Sequence, residues 1–226
     1  MLFPQRDESR ALSRFPIALL TLVAANVFVF LLELSLGDSF VLRYSMKPAE
    51  IVQGAHLETL FTSMFLHANF FHILGNMVYL WVFGDELEAN YLGSIRFVLF
   101  YLVCGLAASV LQITVNPTST VPNLGASGAI AGVLGAFLVE FPHDRILVAI
   151  LVPFWIAHTR ISALVLIGGW FVIQLIGGVG SITAVTQGGV AYFAHIGGFI
   201  AGVVLIKLFG AGRRPAGEYD VRQQRG

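Results

Sequence analysis

Four polar side chains stand in runs that are otherwise apolar: His72 and Asn76 within residues 67–84, Ser127 at the head of 126–140, and His195 near the head of 191–209. A serine hydroxyl is a weak nucleophile at neutral pH and needs an adjacent base, which a neutral imidazole supplies. Attack on a carbonyl builds an oxyanion that needs preplaced donors. The amide of Asn76, the ring of His72 and the backbone N–H of Ser127 are donors of the right kind. The i, i+4 spacing of His72 and Asn76 puts both on one helix face. Each residue also has a plainer reading, as a packing position or as an interhelical hydrogen bond. Polar groups at membrane depth are costly, however, and default to a functional reading. No carboxylate accompanies them, so the expected unit is a Ser127–His195 dyad without a third member.

The elements that must position these groups follow from composition. The chain has 226 residues, 57% hydrophobic and 12% charged, against about 25% charged in a soluble domain. Formal net charge is zero, with 13 basic and 13 acidic residues, so no bulk field attracts a polyanion and nucleic acid is not an expected partner. The single cysteine, Cys104, cannot form an internal disulfide and reads as a small apolar packer. What remains is an all-α membrane protein. Apolar runs at 15–36, 67–84, 95–115, 126–140, 161–178 and 191–209 predict six transmembrane helices, five of them near the ~20 residues that cross a bilayer and the fourth shorter, which sets Ser127 below the outer surface. The domain reading is a cytoplasmic N-terminal segment over 1–14, a membrane domain over 15–209 and a cytoplasmic tail over 210–226. Residues 37–66 read as a long, partly embedded loop. Within residues 142–160 the apolar run is only the 12 residues 146–157, with Pro153 inside it, too few to cross as a helix, so the stretch reads as an interfacial loop. A glycine-rich connector from Gly177 to Gly189 reads as a mobile cap.

Placing the N-terminus in the cytoplasm leaves only Arg43 and Lys47 of the 13 Lys and Arg residues outside, a strong positive-inside bias. Both termini are then cytoplasmic, and the second, fourth and sixth runs cross in the same direction. Their polar residues all fall in first turns, at one depth below the outer surface. Gly128, Gly132 and Gly135 in the fourth run, with Gly198 and Gly202 in the sixth, let two helix backbones approach closely. That approach brings Ser127 toward His195.

Three motifs now carry a resemblance. His67-x4-His72-x3-Asn76, the GASGA segment around Ser127, and AHIGGFIAG from Ala194 to Gly202 together resemble the rhomboid intramembrane serine proteases. The likeness runs from about residue 15 to 209. It implies a six-transmembrane-helix rhomboid-like bundle, a serine endopeptidase that cuts single-span transmembrane protein substrates near the outer face. It further implies no cofactor or metal, and the compact six-span form without a transit peptide leads us to expect a multi-pass location in a prokaryotic plasma membrane. Carried over by position, Ser127 is the nucleophile, His195 the base, His72 and Asn76 the oxyanion donors, and His67 a structural residue. The chain departs from many members in lacking a Trp-Arg pair in its first long loop. It also has Ala131 where some place an aromatic ring against the histidine.

Other intramembrane chemistries lack their residues. No HExxH occurs for zinc, no Gly-x-Gly-Asp for an aspartyl protease, and no internal repeat or intramembrane acid pair for a proton-coupled transporter. The alternative that remains is a non-catalytic rhomboid-like protein that binds transmembrane helices without cutting them. The Asp85-Glu86-Leu87-Glu88 stretch reads as a solvated or capping stop, and Trp81 and Trp170 as interfacial or lipid-facing. The substrate and the oligomeric state are not legible.

Overall fold

The computed structural model describes residues 2–7, 12–152, 155–183 and 190–210. Apolar runs of this length satisfy their backbone groups internally, and they do so as helices. Helix α1 (Ile17–Leu36) is followed by three short helices, α2 (Asp38–Tyr44), α3 (Pro48–Val52) and α4 (Thr59–Thr62). Then come α5 (Phe70–Glu86), α6 (Ser94–Val115), α7 (Ser127–Glu140), α8 (Ala163–Thr183) and α9 (Tyr192–Phe209). Among the described residues, four segments are long and apolar enough to cross a membrane: Ile17–Leu36, Ser94–Val115, Ala163–Ser181 and Tyr192–Phe209. The protein is thus a predominantly helical membrane bundle. Phe28, Leu31 and Leu34 on α1, Val172, Ile173 and Ile176 on α8, and Val204 and Leu208 on α9 are each more than half exposed. Such a continuous apolar exterior suits lipid rather than water.

Helix α7 is the axis. Every residue from Gly128 to Phe137 is buried. Its 14 residues, at 1.5 Å each, span about 21 Å, less than a bilayer core. Its closest neighbour is α9, and the glycines explain why. A Cβ on Gly198 would run into the carbonyl oxygen of Gly128, and one on Gly202 into that of Gly132. Cys104 of α6 packs on the other side of Gly132, with its side chain fully buried, as a small packer should.

The chain departs from an all-α reading at the far end of α7. Strands β1 (Leu2–Asp7), β2 (Arg145–Val152) and β3 (Trp155–Ser162) form an antiparallel sheet in the order β1-β2-β3. Residues 142–160 are therefore largely a hairpin, not an irregular loop, and part of the 1–14 segment is a strand. The physical reason is backbone satisfaction. Residues 146–152 are apolar and too few for a spanning helix, so pairing along both edges of β2 satisfies their amides. Ile146 and Val148 are fully buried, which anchors the sheet on the bundle.

Two further expectations change. The 37–66 segment contains three short helices, and its backbone is pinned to the 116–125 loop. Met46 and Asn123 exchange backbone hydrogen bonds of 3.0 and 2.7 Å, and Gly125 N–H donates to Ser63 O at 2.8 Å. The connector from Gly177 begins as helix, because α8 runs to Thr183. Its remainder, 184–189, lies outside the described residues, as does the tail from 211.

Of the acidic stretch at the end of α5, Glu88 takes the capping rather than the solvated role. Glu88 is 1% exposed and lies in a π-helical segment, Leu87–Leu92. Its carboxylate accepts from the Ala18 and Leu19 amides at 2.9 and 2.7 Å and from Ser94 Oγ at 2.6 Å. An anion at the start of α1 satisfies donors that the helix itself cannot.

Candidate active site

Three helix beginnings meet at the site. Asn69 caps α5, its Oδ1 accepting the His72 amide at 2.9 Å, so His72 is fixed in the first turn and Asn76 one turn below it. Ser127 is the first residue of α7 and His195 lies in the first turn of α9. Packing of α7 on α9 brings Ser127 Oγ and His195 Nε2 to 2.7 Å, a distance suited to direct proton transfer. Both side chains are half-buried and open onto a cavity of about 600 Å³. Ala68, His72, Asn76, Leu124 and Trp170 complete much of its wall.

The approach to Ser127 depends on Gly125. Its φ of 130° is a conformation that L side chains avoid. A Cβ there would stand 2.9 Å from the His72 ring and 3.6 Å from Ser127 Oγ. The ring of His72 therefore lies against the backbone that leads into the serine. His72 Nδ1 accepts the Ala68 amide at 3.3 Å, so the proton of a neutral ring sits on Nε2, which can donate. Asn76 is buried and lines the cavity, and its Nδ2 has no hydrogen-bond partner among the described residues. A buried donor left unpaired costs about 1–3 kcal/mol, which suits a group whose partner arrives with a ligand.

His67 is buried beside His72, ring centroids 5.2 Å apart. Its tie to the bundle runs through the backbone: its amide donates to the Glu33 carboxylate of α1 at 3.0 and 3.2 Å. His143 and His158 are exposed near the sheet, and His56 is an exposed loop residue near Arg43.

Two residues of α8 complete the surroundings of His195. Trp170, read from sequence as lipid-facing or interfacial, instead lines the cavity with its ring centroid 5.8 Å from that of His195. Gln174, one turn further on, places Oε1 2.8 Å from His195 Nδ1. The sequence reading passed over it, although an amide inside an apolar run is the same signal that marked Asn76.

Comparison with known proteins places this arrangement in context. Residues 54–212 match the family model described as a rhomboid domain. RHOMBOID-like protein 1 of Arabidopsis thaliana is 35% identical over 177 residues, 77% of this chain and 41% of that protein. The mitochondrial Rhomboid protein 1 of Saccharomyces cerevisiae is 32% identical over 191 residues, 81% of this chain and 50% of that one. Rhomboid protease GluP of Bacillus subtilis is 35% identical over 112 residues, 48% of this chain and 21% of its own length. The matched region thus spans half or less of each of these relatives.

Proposed function

Because the chain belongs to the rhomboid family, we propose that it is an intramembrane serine endopeptidase that cleaves single-span transmembrane proteins. The observation that carries this reading is the 2.7 Å contact between Ser127 Oγ and His195 Nε2, inside a cavity whose wall holds the unpaired Asn76 amide. One relative, GluP, is named a protease, which supports the same assignment.

The chemistry follows from the geometry. His195 Nε2 takes the hydroxyl proton as Ser127 Oγ attacks the scissile carbonyl. The carbonyl oxygen gains the charge and moves toward the donors on α5, Asn76 Nδ2 and His72 Nε2–H. Collapse expels the amine, which takes the proton from His195 and leaves an acyl-enzyme. A water then repeats the sequence, with its proton passing to His195 and the acyl group released. Losing one oxyanion donor typically costs 10²–10³ in kcat.

Six helices, α1 and α5 to α9, each crossing once with both termini cytoplasmic, is the topology that suits this reading. It places the three helix beginnings at one depth near the outer face. The plasma membrane of a prokaryote was the sequence expectation. Several relatives named as mitochondrial do not favour it over an organelle membrane. The reading is tested by reconstituting the chain with a single-span substrate carrying a helix-destabilising segment. Wild type cleaves and reacts with a fluorophosphonate probe, and Ser127→Ala does neither. Cleavage that persists in Ser127→Ala refutes the serine mechanism, and a folded wild type inert to both favours a helix-binding role.

A further inference from the structure

Building on that serine-protease reading, we propose that Gln174 is a third member of the site: a neutral positioning residue that fixes the tautomer and orientation of His195. An amide oxygen can only accept. With Gln174 Oε1 2.8 Å from Nδ1, the ring hydrogen sits on Nδ1, and Nε2 presents its lone pair to Ser127 Oγ. Without that acceptor the ring is free to carry its hydrogen on Nε2, the tautomer that cannot act as base. The acceptor also faces the positive charge that the imidazole gains on taking the serine proton, so the same contact strengthens as the reaction proceeds.

The fold delivers Gln174 to this position. Val172, Ile173 and Ile176 around it are more than half exposed, whereas Gln174 is 6% exposed. Burying an amide in such a setting is costly unless it is hydrogen-bonded. Further along α8, Gly177 and Gly178 lie against Tyr192 and Ile196, so α8 sits close beside the first turn of α9. A Cβ on Gly178 would stand 3.2 Å from Ile196 Cδ1. Trp170, one turn earlier on α8, closes over the same imidazole. The ring is thus held by Ser127, Gln174 and Trp170 together. Ala131 supplies no aromatic support from α7, and α8 takes over that task.

The test compares Gln174→Leu and Gln174→Glu with wild type in liposomes, reading kcat and KM for a single-span substrate. The tautomer role predicts that Leu, of similar size but without an acceptor, lowers kcat about ten- to a hundredfold with KM within about twofold. Complete loss of tautomer control in other serine proteases costs about 10⁴, and a neutral acceptor commands part of that. Glu restores the acceptor and keeps kcat within about fivefold. A packing role predicts the reverse order, with Leu active and the buried charge of Glu crippling. Gln174→Leu at wild-type kcat, or Glu worse than Leu, overturns the proposal. ¹⁵N shifts of His195 in the wild type give a reading that no variant's folding affects. Hydrogen on Nδ1 supports the proposal and hydrogen on Nε2 overturns it. Ser127→Ala runs alongside. Cleavage surviving in that variant refutes the serine mechanism, whereas Ser127-dependent cleavage indifferent to Gln174→Leu refutes the role of Gln174 alone.

Discussion

Gly202 touches neither nucleophile nor base, yet its replacement by alanine is expected to disable the site. It lies two turns after His195 on the same face of α9, against Gly132 of α7. An added Cβ would stand 2.7 Å from both the Cα and the carbonyl carbon of Gly132, whose oxygen is nearer still. Ordinary contact starts at 3.4 Å, so the two helices must separate by about 0.7 Å or more. Backbone stands on both sides of the contact, so no rotamer change relieves it. If α9 shifts as a rigid rod, the Ser127–His195 distance opens from 2.7 to about 3.4 Å, beyond a good hydrogen bond. A misplacement approaching 1 Å costs about a hundredfold in rate, or about 2.7 kcal/mol of barrier. The assay is cleavage of a reconstituted transmembrane substrate, with fluorophosphonate labelling of Ser127 as an independent report on the nucleophile. Both should fall together, with KM within about twofold. Gly169→Ala is the control, since nothing lies within 4 Å of its added Cβ. It should keep wild-type kcat and melt slightly higher, as Gly to Ala in a helix stabilises by roughly 0.5–1 kcal/mol. A folded Gly202→Ala variant within threefold of wild-type kcat would refute the argument that helix approach sets the site distance.

Ser127→Ala and His195→Ala should each abolish cleavage, and the double variant should be no worse than either, because the pair acts as a unit; additive losses in single-turnover rates count against that. Asn76→Ala should lower kcat about 10²-fold with little change in KM, since its donor is engaged only once the oxyanion forms; a loss confined to KM points to substrate binding instead. Glu88→Ala strands the Ala18 and Leu19 amides and the Ser94 hydroxyl, and should cost about 2–4 kcal/mol in reversible unfolding with kcat of the folded fraction unchanged. Reporters fused after residue 160 and at the C-terminus should both give cytoplasmic signals; an outside signal at 160 in an active protein breaks the single-depth arrangement of the three helix beginnings.

The site was legible in sequence where polarity stood out against an apolar background. His72, Asn76, Ser127 and His195 each interrupt a run that lipid or core would keep apolar. The i, i+4 spacing and the glycines of α7 and α9 carried enough geometry to bring them together. Gln174 breaks its run in the same way, but what it does depends on which face of α8 meets α9. That is a property of packing between helices, not of spacing within one. The sheet was illegible for a related reason. Residues 146–152 read as part of an interfacial loop, because the partner that makes them a strand, Leu2–Asp7, lies some 140 positions away in the chain. The short helices within 37–66 are too brief to announce themselves by periodicity, and they persist because backbone contacts to the 116–125 loop hold them.

The pairing of β1 with β2 also constrains how the protein can be made. Leu2 to Asp7 must meet Ile146 to Ile150, so both strands end on the same side of the bilayer, and the chain crosses an even number of times between them. On the proposed six-helix topology the chain crosses four times in that interval, through α1, α5, α6 and α7, which satisfies this parity, and an insertion error that flipped one of them would leave β1 stranded across the membrane from its partner. Translation proceeds at roughly 5–20 residues per second, so β1 waits on the order of ten to thirty seconds after its own synthesis before β2 emerges. During that interval its edge is unpaired. Closure of the sheet is therefore a late event that follows correct insertion of α1 to α7, and the sheet serves as a seal on topology after the helices have been threaded.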